Sequence, residues 1–502
     1  MSTLNDLKQY LNGLDTHIII AADAETRVSR VAESGEITAS LPAGGVAVAL
    51  DPIAKAARAT YIGRSKNPEE KKACDRDGKM PVIEPDGDYT LKRLFFTEEE
   101  TKPYYLGFAN QTLWPLCHVV FQEPIFRQEW YDGYKKVNEA FAKAIQREIK
   151  GKTTVWINDY QLAMVPHFLG KQKDVTIGMF WHIPWPMWER FRILPWRREI
   201  LDSMLTCDFL GFHRGYQAQN FINTVEREFE TRLDRELQRV YVNGYALTVK
   251  GLPMGIDTDV IKGMVKEEEQ ESLLTRVVRD VLNIEEKRQE TALDGYFKKY
   301  QVLFGADRLD YTKGIDKRLL AIDAFFTDNP SYRGKVIYLG IMAPSREAIP
   351  AYQRLKREVE RLTLEINAKH QRDNWQPIHI IHQTFRREDI INFYNKARVC
   401  LVTPLDDGMN LVSKEFVTAS SLSPRPGMLV LSQFAGSAID LTKSILVNPY
   451  DIPEVGRAIK EALEMPQSDR IERIQSMAET LDERNVYEWA ESFFRNTVEA
   501  KA

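Results

Sequence analysis

Short apolar runs that alternate with stretches at helical spacing dominate this sequence, and they come in two successive sets. HIIIAA (17–22), TTVWIN (153–158), TIGMFWH (176–182) and CDFLGFH (207–213) read as buried strands of the first set. YQVLFGA (300–306), KVIYLGI (335–341), IHIIH (378–382), CLVT (400–403) and MLVLS (428–432) read as those of the second. Strands that alternate with helices pair in parallel, because each crossover helix carries the chain back to the same end of the sheet. The fold class expected is therefore α/β, with two Rossmann-like, doubly wound parallel-sheet domains facing a cleft. The expected boundaries are 1–253 and 254–480, followed by a C-terminal helix at 481–502 that returns to the first domain. Its Val486, Trp489 and Phe493 recur at helical spacing and suit a docked face. Residues 65–90, charged and rich in Gly and Pro, read as an exposed insertion. Residues 265–300 read as a charged helical excursion.

Composition narrows the function. A net charge of −4 on 502 residues offers no polyanion-binding surface, so no nucleic-acid partner is expected. The four cysteines are widely spaced, without a CxxC pair, which argues against a zinc site or a disulfide framework. No apolar run approaches the ~18 residues of a membrane span. The N-terminus lacks the basic and apolar regions of a signal peptide. A cytoplasmic protein with no membrane partner is expected, acting on small molecules.

Polar residues gather where open α/β sheets bind ligands, beyond the carboxyl ends of their strands. Gly44 and Gly45 follow the first strand region. Asp159 and His182 end two neighbouring strands. Arg308, Asp310 and Lys313 follow the strand ending at Ala306, and Ser345 and Arg346 follow 335–341. Phe385 follows 378–382, and Asp407 to Glu415 follow 400–403. The stretch LVTPLDDGMNLVSKE (401–415) is the densest of these. A strand ends, Gly408 turns the chain, Asn410 caps, and a helix begins, which aims backbone N–H groups at an anion. Taken singly, each is an ordinary strand–helix connection. Seven in register over both halves are not explained by packing.

These stretches carry a resemblance. DRLDYTKG (307–314), TPLDDGMNLVSKE (403–415), LSQFAGSA (431–438), VNPYD (447–451), HIPWP (182–186), LPMGID (252–257) and the aromatic segment 105–118 resemble the trehalose-6-phosphate synthase family. That is a family of retaining GT-B glycosyltransferases, family 20. The resemblance implies transfer of glucose from a nucleotide sugar, best guess UDP-glucose, to a sugar phosphate, best guess glucose 6-phosphate. It implies that Arg308 and Lys313 hold the leaving diphosphate with backbone groups of Gly44, Gly45 and the turn Gly408–Met409–Asn410–Leu411. Two such cations each contribute about 4 kcal/mol of gross attraction at ~4 Å and an effective dielectric near 20. Glu415 would take the ribose hydroxyls and Phe385 would lie by the base. Asp407 and His182 would hold hydroxyls of the glucose, with Asp159 near the reaction centre. Tyr105, Trp114 and Arg346 would bind the acceptor phosphate, although Tyr105 and Trp114 also suit a core. No cofactor or metal is implied, and no carboxylate pair fits a glycosidase scheme. Family members form homo-oligomers and close by hinge motion, here expected near 252–260 and at the C-terminal segment. His118, His213, His379 and His382 read as structural.

Three departures bear on the acceptor. AADAET (21–26) stands where the family has an Asn-Arg pair that helps bind the acceptor phosphate. Arg64, in YIGRS (61–65), stands where the family has a Trp. NDYQ (158–161) keeps Asp159 but lacks two His. One expectation is that Arg64 compensates as a phosphate ligand. Another is a changed acceptor, such as glycerol 3-phosphate giving glucosylglycerol phosphate, or a pseudo-glycosyl transfer. A catalytically silent sugar-phosphate sensor is a third, opposed by the intact Arg308, Lys313, Asp407 and Glu415.

Overall fold

A computed structural model describes residues 2–31, 37–41, 45–270 and 293–501. Gly44 and most of the charged excursion after 270 lie outside the described residues. The chain forms two compact units, one of residues 1–255 and 484–502, the other of 256–483.

The first unit is built on strands β1 (His17–Ala24), β4 (Thr60–Arg64), β5 (Lys79–Glu84), β6 (Gly87–Leu94), β7 (Thr153–Asn158), β8 (Val175–Trp181), β9 (Phe209–Phe212), β10 (Arg232–Asp234), β11 (Arg239–Val242) and β12 (Tyr245–Gly251). They form one sheet in the order β10-β11-β12-β9-β8-β7-β1-β4-β6-β5. The seven strands from β12 to β6 run parallel. Strand order reverses between β1 and β7, the doubly wound arrangement that opens a crevice there. Helices cover both faces, which is why these strands are almost wholly apolar. Ile19, Ile20, Val155, Ile157, Ile177 and Met179 are fully buried. A separate hairpin pairs β2 (Val28–Val31) with β3 (Ile37–Ser40).

The helix Val486–Lys501 belongs to this unit. Phe493 stacks on Trp156 with ring centroids 4.3 Å apart. A side chain at Gly178 would collide with Phe493 and Thr497, so that glycine lets the helix lie against β8.

Residues 65–90 are not the exposed insertion their composition suggests. Strands β5 and β6 extend the sheet edge, with Tyr89 and Leu91 turned inward. Many charges of the segment are exposed, among them Lys66, Lys71, Asp75 and Arg76, but some are paired. Lys92 and Lys79 both reach Glu148, at 2.6 and 2.9 Å. Buried Glu70 accepts the Ser29 N–H at 2.6 Å. The aromatic stretch is a π-helix over Lys102–Leu113, continued by Trp114–Cys117.

The second unit has six parallel strands: β13 (Gln301–Arg308), β14 (Val336–Ala343), β15 (Ile378–Ile381), β16 (Val399–Val402), β17 (Met428–Ser432) and β18 (Ile445–Val447). Their order is β15-β14-β13-β16-β17-β18, with the reversal between β13 and β16.

Candidate active site

In the second unit the reversal brings together the segments after β13 and β16. Gly314 adopts a left-handed φ of 62°, and a Cβ there would lie 2.5 Å from the Thr403 carbonyl. The Leu405 N–H donates to the Thr312 carbonyl at 2.7 Å. Beneath them Arg318, fully buried, bridges Asp307 (2.7 Å) and Thr403 (2.9 Å). On this base Lys313 Nζ meets Asp407 Oδ2 at 2.5 Å, and Asn410 Nδ2 donates to the same oxygen at 2.9 Å. Arg308, at the end of β13, is exposed.

The turn before the helix Leu411–Ser420 is tightly specified. Asn410 sits at φ 69°, and its side-chain oxygen accepts the Ser413 N–H at 3.1 Å. The first turn of that helix presents N–H groups at its start. Gly436 passes so close that a Cβ would lie 1.9 Å from the Gly408 carbonyl oxygen. The Gly436 and Ser437 N–H groups then donate to the Asp407 and Met409 carbonyls, at 3.1 and 2.7 Å. Met409 is buried. Glu415, one turn into the helix, accepts from Arg387 at 2.8 Å. Phe385, partly buried, packs edge-on to Phe393.

Arg346, at φ 48°, is turned onto Asp310 at 3.1 Å and donates to Tyr352. Tyr352 also donates to Asp310, at 3.0 Å. Burial pushes the Asp310 carboxyl up, but Arg346 and Arg308 outweigh it and hold it below the usual carboxylate range. Arg346 is thus pre-oriented by an acidic partner, a role for Asp310 and Tyr352 that no sequence spacing announces.

In the first unit four adjacent parallel strands present polar groups at their carboxyl ends: Arg64 from β4, Asp23 from β1, Asp159 after β7 and His182 after β8. Asp159 has φ 75°, and its Oδ1 accepts the N–H groups of Tyr160 (2.9 Å) and His182 (3.1 Å). His182 is buried, and Asn158 Oδ1 lies 3.1 Å from its Nε2. Burial, reinforced by His213, holds the imidazole neutral, far below its ordinary range. The Asn158 amide nitrogen faces the Trp156 carbonyl at 3.5 Å, so its oxygen is the atom turned to His182. Nε2 therefore carries the proton and Nδ1 is a lone-pair acceptor. That Nδ1 is buried with no hydrogen-bond partner among the described residues. A lone pair so placed can accept a hydrogen bond. Asn158, one of the departures in sequence, is what orients His182.

Tyr105 lies under Arg64, whose guanidinium carbon is 4.9 Å from the ring centroid. Trp114 is 7 % exposed and packs against His118 and Tyr160. Gly45 starts the helix Val46–Ala56 at φ 87°; with nothing within 4 Å of a Cβ there, its requirement is conformational. Arg64 is not an unengaged cation. It is 4 % exposed and bound bidentately to Asp23, at 2.7 and 2.9 Å. Among the described residues no three His, Cys, Asp or Glu side chains converge as a metal site requires, and no helix is long and apolar enough to cross a membrane.

Comparison with known proteins identifies relatives of the whole chain. The pattern that defines glycosyltransferase family 20 matches residues 15–499. A trehalose-6-phosphate synthase of Mycobacterium avium is 34 % identical over 458 residues, covering 90 % of this chain and 89 % of that protein. An E. coli structure bound with UDP-2-fluoro glucose superposes with a TM-score of 0.81 at 29 % identity, over 96 % of this chain and 99 % of the other. A UDP-forming alpha,alpha-trehalose-phosphate synthase of Burkholderia xenovorans, solved in complex with glucose-6-phosphate, gives 0.81 at 28 % identity, over 96 % and 100 %.

Proposed function

The chain belongs to glycosyltransferase family 20, and from that premise we propose that it transfers glucose from UDP-glucose to glucose 6-phosphate with retention, forming trehalose 6-phosphate. The observation that carries the reading is the Lys313–Asp407–Asn410 cluster at the strand reversal of the second unit. Open α/β sheets bind their ligand at such a reversal.

In this reading Arg308 and Lys313 meet the diphosphate, joined by N–H groups at the start of the helix Leu411–Ser420. As the C1–O bond to the diphosphate breaks, negative charge grows on the leaving oxygen. Fixed cations aimed at it lower the barrier more than they stabilise the ground state. The acceptor hydroxyl oxygen bonds to C1 on the face the leaving group vacates, and its proton passes to the departing phosphate oxygen. Configuration is retained without an enzyme nucleophile. In the second unit Asp407 takes glucose hydroxyls. In the first, the lone pair of His182 Nδ1 accepts from a sugar hydroxyl, with Asp159 beside it. Glu415, fixed by Arg387, takes the ribose, with Phe385 by the base. Arg346 takes the acceptor phosphate. The side-chain cations supply the counter-charge that a metal supplies in other transferases. A sugar-nucleotide donor and a sugar-phosphate acceptor place the reaction in the cytoplasm.

Incubation with UDP-glucose and glucose 6-phosphate, followed by mass and proton NMR analysis, tests this. A phosphorylated disaccharide with both anomeric centres α supports it. A β linkage, or free glucose alone, rejects it.

A further inference from the structure

The pair at the ends of β1 and β4 carries an inference that rests on the transferase reading and refines its acceptor. Asp23 and Arg64 are both buried, 6 % and 4 % exposed. Arg64 Nε meets Asp23 Oδ1 at 2.7 Å and Nη2 meets Oδ2 at 2.9 Å. Tyr104, fully buried, donates its hydroxyl to Oδ1 at 2.8 Å. The two strands are locked together behind the pair, since a Cβ on Gly63 would lie 3.0 Å from the Glu25 Cα. The cluster is therefore rigid and cannot be pulled apart cheaply.

Arg64 spends two N–H groups on both oxygens of one carboxylate, whereas Arg346 meets a single oxygen of Asp310 through Nη1 at 3.1 Å, so Arg64 is the poorer phosphate ligand of the two. Any gain it offers a dianion is offset by the carboxylate beside it. Lys66, the next charge along, is exposed and screened. What the pair retains is hydrogen-bonding capacity. Among the described residues Arg64 Nη1 makes no hydrogen bond, and Asp23 Oδ2 accepts only one. Fixed N–H donors beside a fixed carboxylate acceptor, net neutral, match a hydroxyl, which both gives and accepts. The location is right, because this pair stands in the same row of strand ends as Asp159 and His182.

We propose that Asp23 is a specificity-determining residue: paired with Arg64, it makes these strand ends a neutral, hydroxyl-recognising acceptor subsite and withholds Arg64 from the acceptor's phosphate. Arg64 does not compensate for a missing phosphate ligand.

The test is calorimetric binding of glucose 6-phosphate in the presence of UDP to the wild type, Asp23→Asn and the double variant Asp23→Asn with Arg64→Gln. Releasing Arg64 should tighten binding by about fivefold or more in Asp23→Asn, and adding Arg64→Gln should abolish the gain. An Asp23→Asn protein that binds no tighter, or a gain that survives Arg64→Gln, overturns the proposal. Should Asp23→Asn fail to fold, the wild-type complex with glucose 6-phosphate decides. Arg64 still seated on Asp23, with the phosphate on other residues, supports the proposal; the phosphate seated on Arg64 overturns it. Turnover of the wild type with UDP-glucose and each sugar phosphate, run in parallel, reports on the transferase reading independently. Intact turnover beside a failed Asp23→Asn prediction rejects the specificity role alone.

Discussion

Lys313 and Asp407 touch at 2.5 Å, although 94 positions separate them in the chain. They lie in the segments that follow β13 and β16, the two strands between which the order of the second sheet reverses. A cation and an anion are thus held in contact at the position where this fold receives its ligand, each 14–16 % exposed. On the proposed reading, a diphosphate arriving there meets a lysine already aimed, and a sugar meets a carboxylate whose other neighbour, Asn410, is fixed by the turn.

Lys313→Ala should lower kcat/KM for the donor by about 10²–10³-fold, the range for loss of one preorganised charge-stabilising group. Asp407→Asn should lower kcat more than it weakens UDP binding, since the carboxylate faces the sugar. Steady-state kinetics beside UDP calorimetry separate the two. Equal losses in UDP affinity and kcat/KM for Asp407→Asn contradict the assignment.

His182 should not titrate during catalysis near neutrality. Burial, then His213, hold it neutral well below its ordinary value of 6.5. Its Nδ1 lone pair stays available as pH falls through 6.5, and no inflection in kcat/KM should belong to it there. The stability sign follows. Below pH 6.5 the unfolded chain gains a proton that the folded one does not, so this residue lowers stability as pH falls. His182→Ala should cost donor turnover about 10²-fold, and the pH–stability curve of this variant should flatten on the acid side. Urea denaturation between pH 5 and 8 reads the second effect.

Glu25 makes the opposite contribution. Burial pushes its carboxyl up to about 7, and the neighbouring Glu70 adds to the rise, together outweighing Arg93 Nε at 2.6 Å. Its folded value lies above the unfolded 4.5. The stability is thus fully present below pH 4.5 and lost as pH rises through 7, by roughly 3 kcal/mol in total. Glu25→Gln should remove that slope, with urea midpoints of wild type and variant diverging from pH 4.5 to 7. Parallel curves refute it.

Gly436→Ala should damage the donor turn from a distance. The added methyl would meet the Gly408 carbonyl oxygen at 1.9 Å, against backbone that has no slack. A loss of about 1–3 kcal/mol in stability is expected, as for other overpacked sites. The KM for UDP-glucose should rise while that for the acceptor stays within about twofold.

Much of this architecture is legible in the sequence because a strand buried on both faces cannot hide its apolar run, and Gly and Asn mark the turns that follow. What escaped reading was long-range pairing. Residues 65–90 look solvated because charge usually is; that Lys79 and Lys92 share Glu148 depends on a helix more than fifty positions away. The loss of His at 158 was visible, but Asn158 as the orienting partner of His182 follows only from β7 lying beside β8. Arg64 read as a spare cation because Asp23, 41 positions earlier, joins it only once β1 and β4 pair. The π-helical turn at 102–113 leaves no periodicity to find.

The most direct test of the central claim is acceptor-dependent UDP release from UDP-glucose by the purified protein, measured with glucose 6-phosphate, glycerol 3-phosphate and no acceptor, in the presence of a chelator. The account predicts release with glucose 6-phosphate, matched mole for mole by a disaccharide phosphate and unaffected by the chelator. Release that ignores the acceptor, or none with UDP-, ADP- or GDP-glucose, would contradict it.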